Sequence, residues 1–222
     1  VLGTAITGMS IKTAAGFVPG ETVLVQGATG VAGRLAVKVA RLLGAARIIA
    51  TGRDDDQLRE VQALGADAVI NTAVPDEALA QAYLDAKGDG YDVVLDSLGG
   101  QNLAKSLTVL KPGGLAIGVA GPPDSGFAKQ LGAPGVLGLV MNALSRKVRK
   151  QARALGVRYE FLFMRASGAQ LRELGALYDQ GVLRPVVDSV FPFDQTLEAM
   201  AYVEQGRTKA GKVVVAMQPA SP

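Results

Sequence analysis

Three glycines at regular spacing are the residues of this sequence that point most clearly to chemistry. Gly27, Gly30 and Gly33 follow an apolar, β-branched run and precede a long apolar-periodic segment, a pattern that predicts a strand, a tight turn and a helix. In a dinucleotide-binding turn the first glycine permits the sharp bend, the second lets a pyrophosphate approach the backbone, and the third lets the helix pack closely on the strand. Free N–H groups at the helix N-terminus favour an anion, so the expected ligand is a dinucleotide phosphate, although the triplet alone also fits a plain turn. The predicted contacts in this turn are Gly27, Ala28, Thr29, Gly30, Val31 and Ala32.

The residues after the second predicted strand indicate which dinucleotide binds. A site that prefers NAD usually has Asp or Glu about 20 residues beyond the glycines, where the carboxylate accepts hydrogen bonds from the ribose 2′-OH. Thr51-Gly52-Arg53 stands there instead. The missing carboxylate relieves repulsion of a 2′-phosphate, and Arg53 offers that phosphate a permanent positive charge, so the sequence predicts NADPH in contact with Gly52 and Arg53. The alternative is that Arg53 is an ordinary surface residue and that Asp54 binds the ribose.

Further cofactor contacts are predicted where the other strands end, because ligands of open α/β sheets bind outside the carboxyl ends of the strands. The predicted residues are Thr72 (with Asn71 beside it), Ser97, Val119, Phe163 and Met164. By composition alone Phe163 and Met164 are core residues, and only their position at a strand end favours a cofactor wall. Asp96 ends the fourth strand, where its simplest role is to cap a helix.

Apolar segments that alternate with helical patterns predict the sheet that carries these residues. Five short strands separated by helices are typical of a parallel sheet covered on both faces, with right-handed crossovers. A sixth strand completes a doubly wound α/β fold of the Rossmann type, with the glycine triplet at its first strand–helix turn. The predicted strands cover residues 22–26, 47–50, 68–70, 91–96, 115–119 and 159–163, and the predicted helices begin near residues 1, 31, 54, 76, 101 and 167. A Gly- and Pro-rich loop is predicted over residues 121–135, before a basic helix.

Composition and charge argue against several classes of function. The chain of 222 residues has no Cys and no His, which removes disulfides, thiolate metal sites and the commonest zinc ligand and general base, so no metal site is predicted. No apolar run approaches the roughly 20 residues of a membrane span, and no signal pattern is recognisable, so a cytoplasmic location is predicted. Six cations lie within residues 146–158 without aromatic residues for base stacking. A solvated helix face is therefore preferred to a nucleic-acid or membrane contact.

Two other patterns are interpreted as structural. Tyr83 and Lys87 match the Tyr-x-x-x-Lys pair of short-chain dehydrogenases, but the pair lies one strand too early in the predicted fold. Lys38, Asp124 and Glu198 have no partner pattern, so they are assigned to the surface.

Six stretches spread over nearly the whole chain resemble the cofactor-binding half of the zinc-independent quinone oxidoreductases of the medium-chain dehydrogenase/reductase superfamily. They are residues 19–25, 27–33, 64–67, 91–97, 110–114 and 211–215. Residues 184–188 and 191–193 resemble the segment that, in that family, returns to the catalytic domain. The resemblance implies an NADP(H)-binding Rossmann domain over residues 1–181. It also implies that residues 182–222 complete a GroES-like catalytic domain whose N-terminal part is not in this chain.

The resemblance also implies an activity. Such an enzyme transfers hydride from NADPH to a quinone or to the β-carbon of an α,β-unsaturated carbonyl without a metal. The implied partners are a small carbonyl or quinone substrate and a second subunit in a homodimer, with no nucleic acid. Lys209, between Thr208 and Ala210, is expected near the phosphate or nicotinamide, and no catalytic residue is identified. The alternatives are a metal-free alcohol dehydrogenase, the enoyl reductase of a multidomain synthase, and a module that binds NADPH without turnover.

The incomplete catalytic domain carries a structural expectation of its own. Strand edges and apolar faces within residues 183–216 are expected to pair with strands from outside this chain, and therefore to be exposed or covered by another chain.

Overall fold

The computed structural model describes residues 16–132, 134–162, 167–209 and 211–217. The predicted helix over residues 1–15 and the predicted cofactor contacts Phe163 and Met164 lie outside the described residues. Within the described ranges the chain forms a six-stranded sheet and, after it, a two-stranded sheet.

The six-stranded sheet is the predicted doubly wound parallel sheet. Its strands are β1 (Thr22–Gln26), β2 (Arg47–Gly52), β3 (Ala68–Asn71), β4 (Tyr91–Asp96), β5 (Leu110–Gly118) and β6 (Arg158–Phe161). They lie in the order β3-β2-β1-β4-β5-β6, and all neighbouring strands run parallel. Strands β2 and β3 are added on one side of β1, and strands β4 to β6 are added on its other side. The turn after β1 therefore lies at the crevice where doubly wound sheets bind ligands.

Helices connect the strands and pack against the sheet in two apolar layers. Those before the second sheet are α1 (Val31–Leu42), α2 (Asp55–Ala63), α3 (Asp76–Lys87), α4 (Gly100–Thr108), α5 (Ser125–Gln130), α6 (Gly135–Leu144), α7 (Arg146–Ala154) and α8 (Gly168–Asp179). Val37 of α1 packs in the same buried cluster as Val25, whereas Leu107 of α4 packs in a second cluster with Leu24. Since Val25 and Leu24 are adjacent in β1, the two clusters lie on opposite faces of the sheet.

The C-terminal elements form the second, smaller sheet. They are β7 (Val187–Pro192), a 3₁₀ turn (Phe193–Gln195), α9 (Thr196–Glu204) and β8 (Lys212–Ala216). The strands β7 and β8 pair with each other in parallel. Their further pairing with strands from outside the chain stays a prediction. Apolar faces are exposed here as expected: Val190, Leu197 and Met200 are 63%, 81% and 63% exposed.

Three strand boundaries differ from the sequence prediction by two residues or more. Strand β2 runs two residues further than predicted, because Thr51 and Gly52 also pair with β3. Residues 112–114 do not precede β5 as a turn but lie within it, where the pairing with β4 shifts register. Strand β6 ends at Phe161, two residues before the predicted end.

The prediction of an irregular loop over residues 121–135 is wrong in its centre. Asp124 accepts a hydrogen bond from the Phe127 N–H at 3.2 Å and so caps α5, which forms between the flanking glycines and prolines. The surface assignment of Asp124 is therefore wrong, since the half-buried side chain has a structural role.

The surface assignment of Lys38 is also wrong. The Nζ of this half-buried lysine donates to the Val182 carbonyl at 3.3 Å and so links α1 to the segment after α8. Glu198 is exposed, as predicted.

Candidate dinucleotide-binding site

The three glycines of the turn after β1 have three different environments. Gly27 has φ +67°, and a Cβ there would lie 2.5 Å from Ser97 Oγ. A Cβ on Gly33 would lie 2.4 Å from the Ala28 Cα, so α1 can approach the turn only with glycine at this position. Among the described residues, a Cβ on Gly30 would meet only the Gly27 carbonyl oxygen, at an ordinary 3.5 Å. Packing inside the protein therefore explains Gly27 and Gly33 but gives no reason for glycine at 30.

Thr51, at the end of β2, fixes the shape of this turn. Its carbonyl accepts from the Ala28 N–H at 2.8 Å, and its Oγ1 accepts from the Gly27 N–H at 3.3 Å. The side chain is fully buried, so these bonds are shielded from water. This role of Thr51 was not predicted from the sequence, in which a polar residue at the end of an apolar strand is the one available signal.

Arg34 holds the turn from the side of α1. Its Nε donates to the Thr29 carbonyl at 2.9 Å, and its Nη1 lies 2.7 Å from Glu60 Oε2. The residue is 4% exposed, and its Nη2 is buried without a hydrogen-bond partner among the described residues. This contact was not predicted either, because Arg34 follows Gly33 inside an otherwise apolar helix pattern that gives no sign of an inward-facing cation.

The first turn of α1 offers N–H groups to an anion. Gly30 is the N-cap residue, no side chain caps this end, and the first turn holds no acidic residue. Beside it lies a cavity of about 210 Å³ lined by Thr29, Gly30, Val31, Gln57, Thr208, Lys209 and Gly211. Uncapped N–H groups, the helix dipole and the Lys209 ammonium all favour negative charge in this cavity.

One hydrogen bond attaches the C-terminal segment to this cavity, and a second orders the segment itself. The Gln57 Nε2 donates to the Lys209 carbonyl at 2.6 Å, and the Lys209 N–H donates to Asp188 Oδ1 at 2.6 Å. The structure therefore brings the predicted Thr208 and Lys209 to the glycine turn, about 180 residues away in sequence. Ala210 lies outside the described residues. Gln57 was not predicted as a site residue, since its only local signal was its position three residues after Asp54.

The loop after β2 separates the roles of Arg53 and Asp54. Asp54 Oδ1 accepts from the Gln57 N–H at 2.9 Å, which makes Asp54 the N-cap of α2. Arg53 is exposed and makes no hydrogen bond or ion pair within the described ranges. Gly52 is buried against Thr29, whose Cγ2 would lie 2.4 Å from a Cβ at position 52. The two segments predicted to bind the cofactor are thus in direct contact.

The other predicted strand-end residues are engaged in hydrogen bonds within the chain. Thr72 donates from both its N–H and its Oγ1 to the Gly52 carbonyl, at 2.7 and 3.0 Å. Ser97 Oγ donates to the Gln26 carbonyl at 2.8 Å, and the Val119 N–H donates to the Asp96 carbonyl at 2.8 Å. All three residues lie at the carboxyl edge of the sheet, but none of them lines the cavity.

Asp96 and Tyr83 have structural roles beside the site. Asp96 is fully buried, and its Oδ1 accepts from the N–H groups of Leu98 and Gly99 at 2.8 and 2.7 Å, so it orders the turn before α4 without being the N-cap residue. Tyr83 lies on α3, between β3 and β4, as the sequence analysis expected. Burial raises the pKa of Tyr83, a hydrogen bond with Thr51 lowers it, and the charge of Asp96 raises it further.

Comparison with known proteins assigns this arrangement to a family. The family model described as zinc-binding dehydrogenase matches residues 64–215. The chain belongs to this family. It is 34% identical over 201 residues to the NAD(P)H oxidoreductase RTN4IP1, mitochondrial, of Danio rerio, a match that covers 89% of this chain and 49% of the relative.

Solved structures show the same fold. The quinone oxidoreductase from Coxiella burnetii has a TM-score of 0.73 at 23% identity, over 97% of this chain and 58% of that chain. CurK enoyl reductase has a TM-score of 0.72 at 27% identity, over 97% of this chain and 60% of that chain. These matches confirm the predicted fold class and the resemblance to the medium-chain dehydrogenase/reductase superfamily, to which the chain belongs. The chain spans about half the length of the curated relatives it matches.

The zinc in the family's name does not fit the residues of this chain. The sequence contains no His and no Cys, and the described residues include no group of three or more potential metal-ligating side chains. No helix in the described ranges is long and apolar enough to cross a membrane. The cytoplasmic location stays a prediction.

Proposed function

We propose that this chain is the NADPH-binding part of an oxidoreductase that reduces a quinone or an α,β-unsaturated carbonyl by hydride transfer without a metal. The observation that carries the proposal is the cavity at the start of α1, which joins the glycine turn to Thr208 and Lys209. Gly30 borders this cavity, and no packing contact requires a glycine there. A pyrophosphate that must approach the backbone supplies the missing reason.

The preference for NADPH over NADH rests on Arg53 and Asp54. An NAD site usually has a carboxylate that accepts from the ribose hydroxyl, whereas here Asp54 Oδ1 already accepts from the Gln57 N–H at 2.9 Å in the α2 cap. The exposed guanidinium of Arg53 is able to pair with a 2′-phosphate in a bidentate geometry. Gly52 contributes by letting this loop lie against Thr29.

The dissociation constants of both cofactors test this preference. Arg53→Ala is expected to weaken NADPH binding about 10- to 100-fold, the range of a lost charge-assisted hydrogen bond, and to leave NADH binding unchanged. Arg172→Ala, which removes an exposed arginine from α8, is the matched control. An unchanged ratio of the two constants in Arg53→Ala would refute the assignment.

Asp54→Ser separates the alternative role of Asp54 from its capping role. Serine is also a good N-cap, so this substitution removes the carboxylate and keeps the helix start. We expect the affinity for NADH to stay within about twofold of the wild type. A loss of about tenfold or more would mean that Asp54 binds the ribose after all.

The proposed reaction follows from the chemistry that the cofactor supplies and from the relatives. Bound NADPH supplies hydride, and CurK, at 27% identity, is an enoyl reductase. The residues of this chain would hold and orient the donor: the first turn of α1 and Lys209 at the phosphates, and Arg53 at the 2′-phosphate. We also propose the division into residues 1–181 and 182–222, and a homodimer.

Turnover by the full-length protein tests the reaction class. NADPH oxidation with a panel of quinones and 2-alkenals is expected, and the alkenals are expected to give saturated carbonyl products. An alcohol product would instead indicate an alcohol dehydrogenase, and a strict requirement for an enoyl thioester would indicate a synthase enoyl reductase. Tight NADPH binding without turnover of any acceptor would identify a binding module.

A further inference from the structure

The helix α6 presents an apolar stripe to solvent. Val136, Leu139, Val140 and Leu144 recur at helical spacing on one face and are 72%, 69%, 51% and 62% exposed. The opposite side of the helix packs inward, since Met141 is buried and a Cβ on Gly138 would lie 3.7 Å from the Ala128 Cβ. An amphipathic helix normally turns its apolar face to the core, so this stripe calls for an external partner.

The next helix, α7, presents a cationic face that consists of Arg146, Lys147, Lys150 and Arg153. All four residues are exposed, and the described residues include no ion-pair partner for any of them. Val148 and Ala152 lie on the buried side of the helix. The cationic face therefore has unsatisfied charge and is directed away from the core.

Short contacts hold α6 and α7 together as one unit. Only Ser145 separates the helices, and its Oγ donates to the Met141 carbonyl at 2.9 Å. Arg149 then donates from its guanidinium to Asn142 Oδ1, a bond from the second helix to the first. The helices are 10 and 9 residues long, about 15 and 14 Å. The apolar stripe ends at Leu144 and the cationic face begins at Arg146, so the two surfaces are adjacent along the chain.

We propose that α6 and α7 dock on an anionic lipid surface, with the apolar stripe in the interface and the cationic face at the headgroups. Residues 125–158 contain seven cations and no Asp or Glu, a charge pattern complementary to an anionic bilayer. The four exposed apolar side chains of the α6 stripe distinguish this surface from a merely solvated basic helix. The 10 residues of α6 are too few to span a bilayer, so the docking is peripheral.

Two other partners fit the surface less well. In a symmetric contact both copies use the same patch, so a contact through this surface would place cations of both copies in one interface, and residues 125–158 supply no acidic residue to offset them. Nucleic acid would use the charges but not the apolar stripe, and residues 128–158 contain no aromatic side chain for base stacking. The lipid proposal does not depend on the reaction proposed above.

Vesicle co-sedimentation of the 222-residue chain tests the proposal. The chain is expected to bind vesicles of phosphatidylcholine with roughly 30% phosphatidylglycerol at about 0.1 M salt, to bind pure phosphatidylcholine vesicles weakly, and to be released at about 0.5 M salt. Failure to bind the anionic vesicles at low salt would overturn the proposal.

Two matched pairs of variants assign the binding to this surface. Lys147→Gln with Lys150→Gln is expected to lower the partition coefficient about fivefold per charge, whereas Arg172→Gln with Arg207→Gln is expected to lower it much less. Val136→Ser with Leu139→Ser is expected to lower it about tenfold or more, because two exposed side chains no longer insert. The control, Leu197→Ser with Met200→Ser, removes two exposed apolar residues at the same spacing on α9.

All of these side chains are exposed, so the variants are expected to fold like the wild type, as thermal unfolding would verify. Equal losses in test and control variants would overturn the proposal. So would a concentration-dependent dimer that Val136→Ser with Leu139→Ser abolishes, since the stripe would then contact a second copy. Binding to a DNA or RNA oligonucleotide without binding to anionic vesicles would contradict it as well.

Discussion

Gly33→Ala is expected to lower mainly the stability of the protein, and Gly30→Ala mainly its affinity for the cofactor. A Cβ at position 33 would lie 2.4 Å from the Ala28 Cα and 2.5 Å from the Gly27 carbonyl oxygen, about 1 Å inside the usual carbon contact distance of roughly 3.5 Å. The backbone of the turn, not a flexible side chain, must then move. Overpacking of this kind costs about 1–3 kcal/mol, partly offset by up to about 1 kcal/mol of helix propensity gained from alanine.

Gly30→Ala is the informative counterpart, since its Cβ would meet only the Gly27 carbonyl oxygen at 3.5 Å. The loss of a glycine N-cap costs about 0.5 kcal/mol, which is small beside the effect at Gly33. The added methyl group nevertheless stands where the proposed pyrophosphate approaches the backbone. We therefore expect NADPH affinity to fall about tenfold or more while stability hardly changes.

Urea unfolding followed by far-ultraviolet circular dichroism gives the free energies of unfolding, and fluorescence titration gives the NADPH dissociation constants. We expect a net loss of about 1–2 kcal/mol for Gly33→Ala. An unfolding midpoint for Gly33→Ala equal to that of the wild type would show that the turn has room for a side chain. Wild-type NADPH affinity in Gly30→Ala would show that the phosphates do not approach this residue.

Two further predictions concern stability away from the turn. Burial raises the pKa of Tyr91 to about 12, and its hydroxyl has no hydrogen-bond partner among the described residues. Since tyrosine in an unfolded chain titrates near pH 10, Tyr91 is expected to lower the free energy of unfolding by about 1.4 kcal/mol per pH unit between pH 10 and 12. Tyr91→Phe is expected to be neutral or stabilising by up to about 1 kcal/mol at neutral pH, and to make the loss of stability above pH 10 in urea titrations less steep by that contribution. Gly175→Ala in α8, where a Cβ would meet nothing within 4 Å, is expected to raise the unfolding free energy by about 0.5–1 kcal/mol, and a destabilised variant would contradict that helical environment.

Local sequence patterns predicted the parts of this fold that depend on local physics. The spacing of Gly27 and Gly33 identified the turn, because the positive φ at position 27 and the close approach of the helix at position 33 each require a glycine. Asp54 before Gln57 likewise identified the start of α2. The alternation of apolar strands with helices was enough to predict the sheet, since both faces of a parallel sheet are buried.

Contacts between distant parts of the chain could not be predicted in this way. The bond from the Gly27 N–H to Thr51 joins residues 24 apart, and the bond from Gln57 to Lys209 joins residues 152 apart. No local pattern specifies such pairs. Arg34 was overlooked because a cation in a helix usually faces water, whereas the carbonyl of Thr29 draws this one inward. Burial could not be predicted from the apolar stripe of α6 either. The helical spacing of its residues predicts that they share one face, but not whether that face is buried.

The close contact between β2 and the glycine turn restricts how this protein can change its cofactor preference in evolution or by engineering. A side chain at position 52 would force Thr29 and Leu58 to move, since a Cβ there would lie 2.4 Å from Thr29 Cγ2 and 3.0 Å from Leu58 Cδ2, and Thr51 is committed to the turn. Acquiring a carboxylate for the ribose is therefore confined to position 53 or to the release of Asp54 from its cap. A redesign for NADH is expected to succeed first through Arg53→Asp, and libraries that vary residues 51 and 52 are expected to yield mainly unstable proteins.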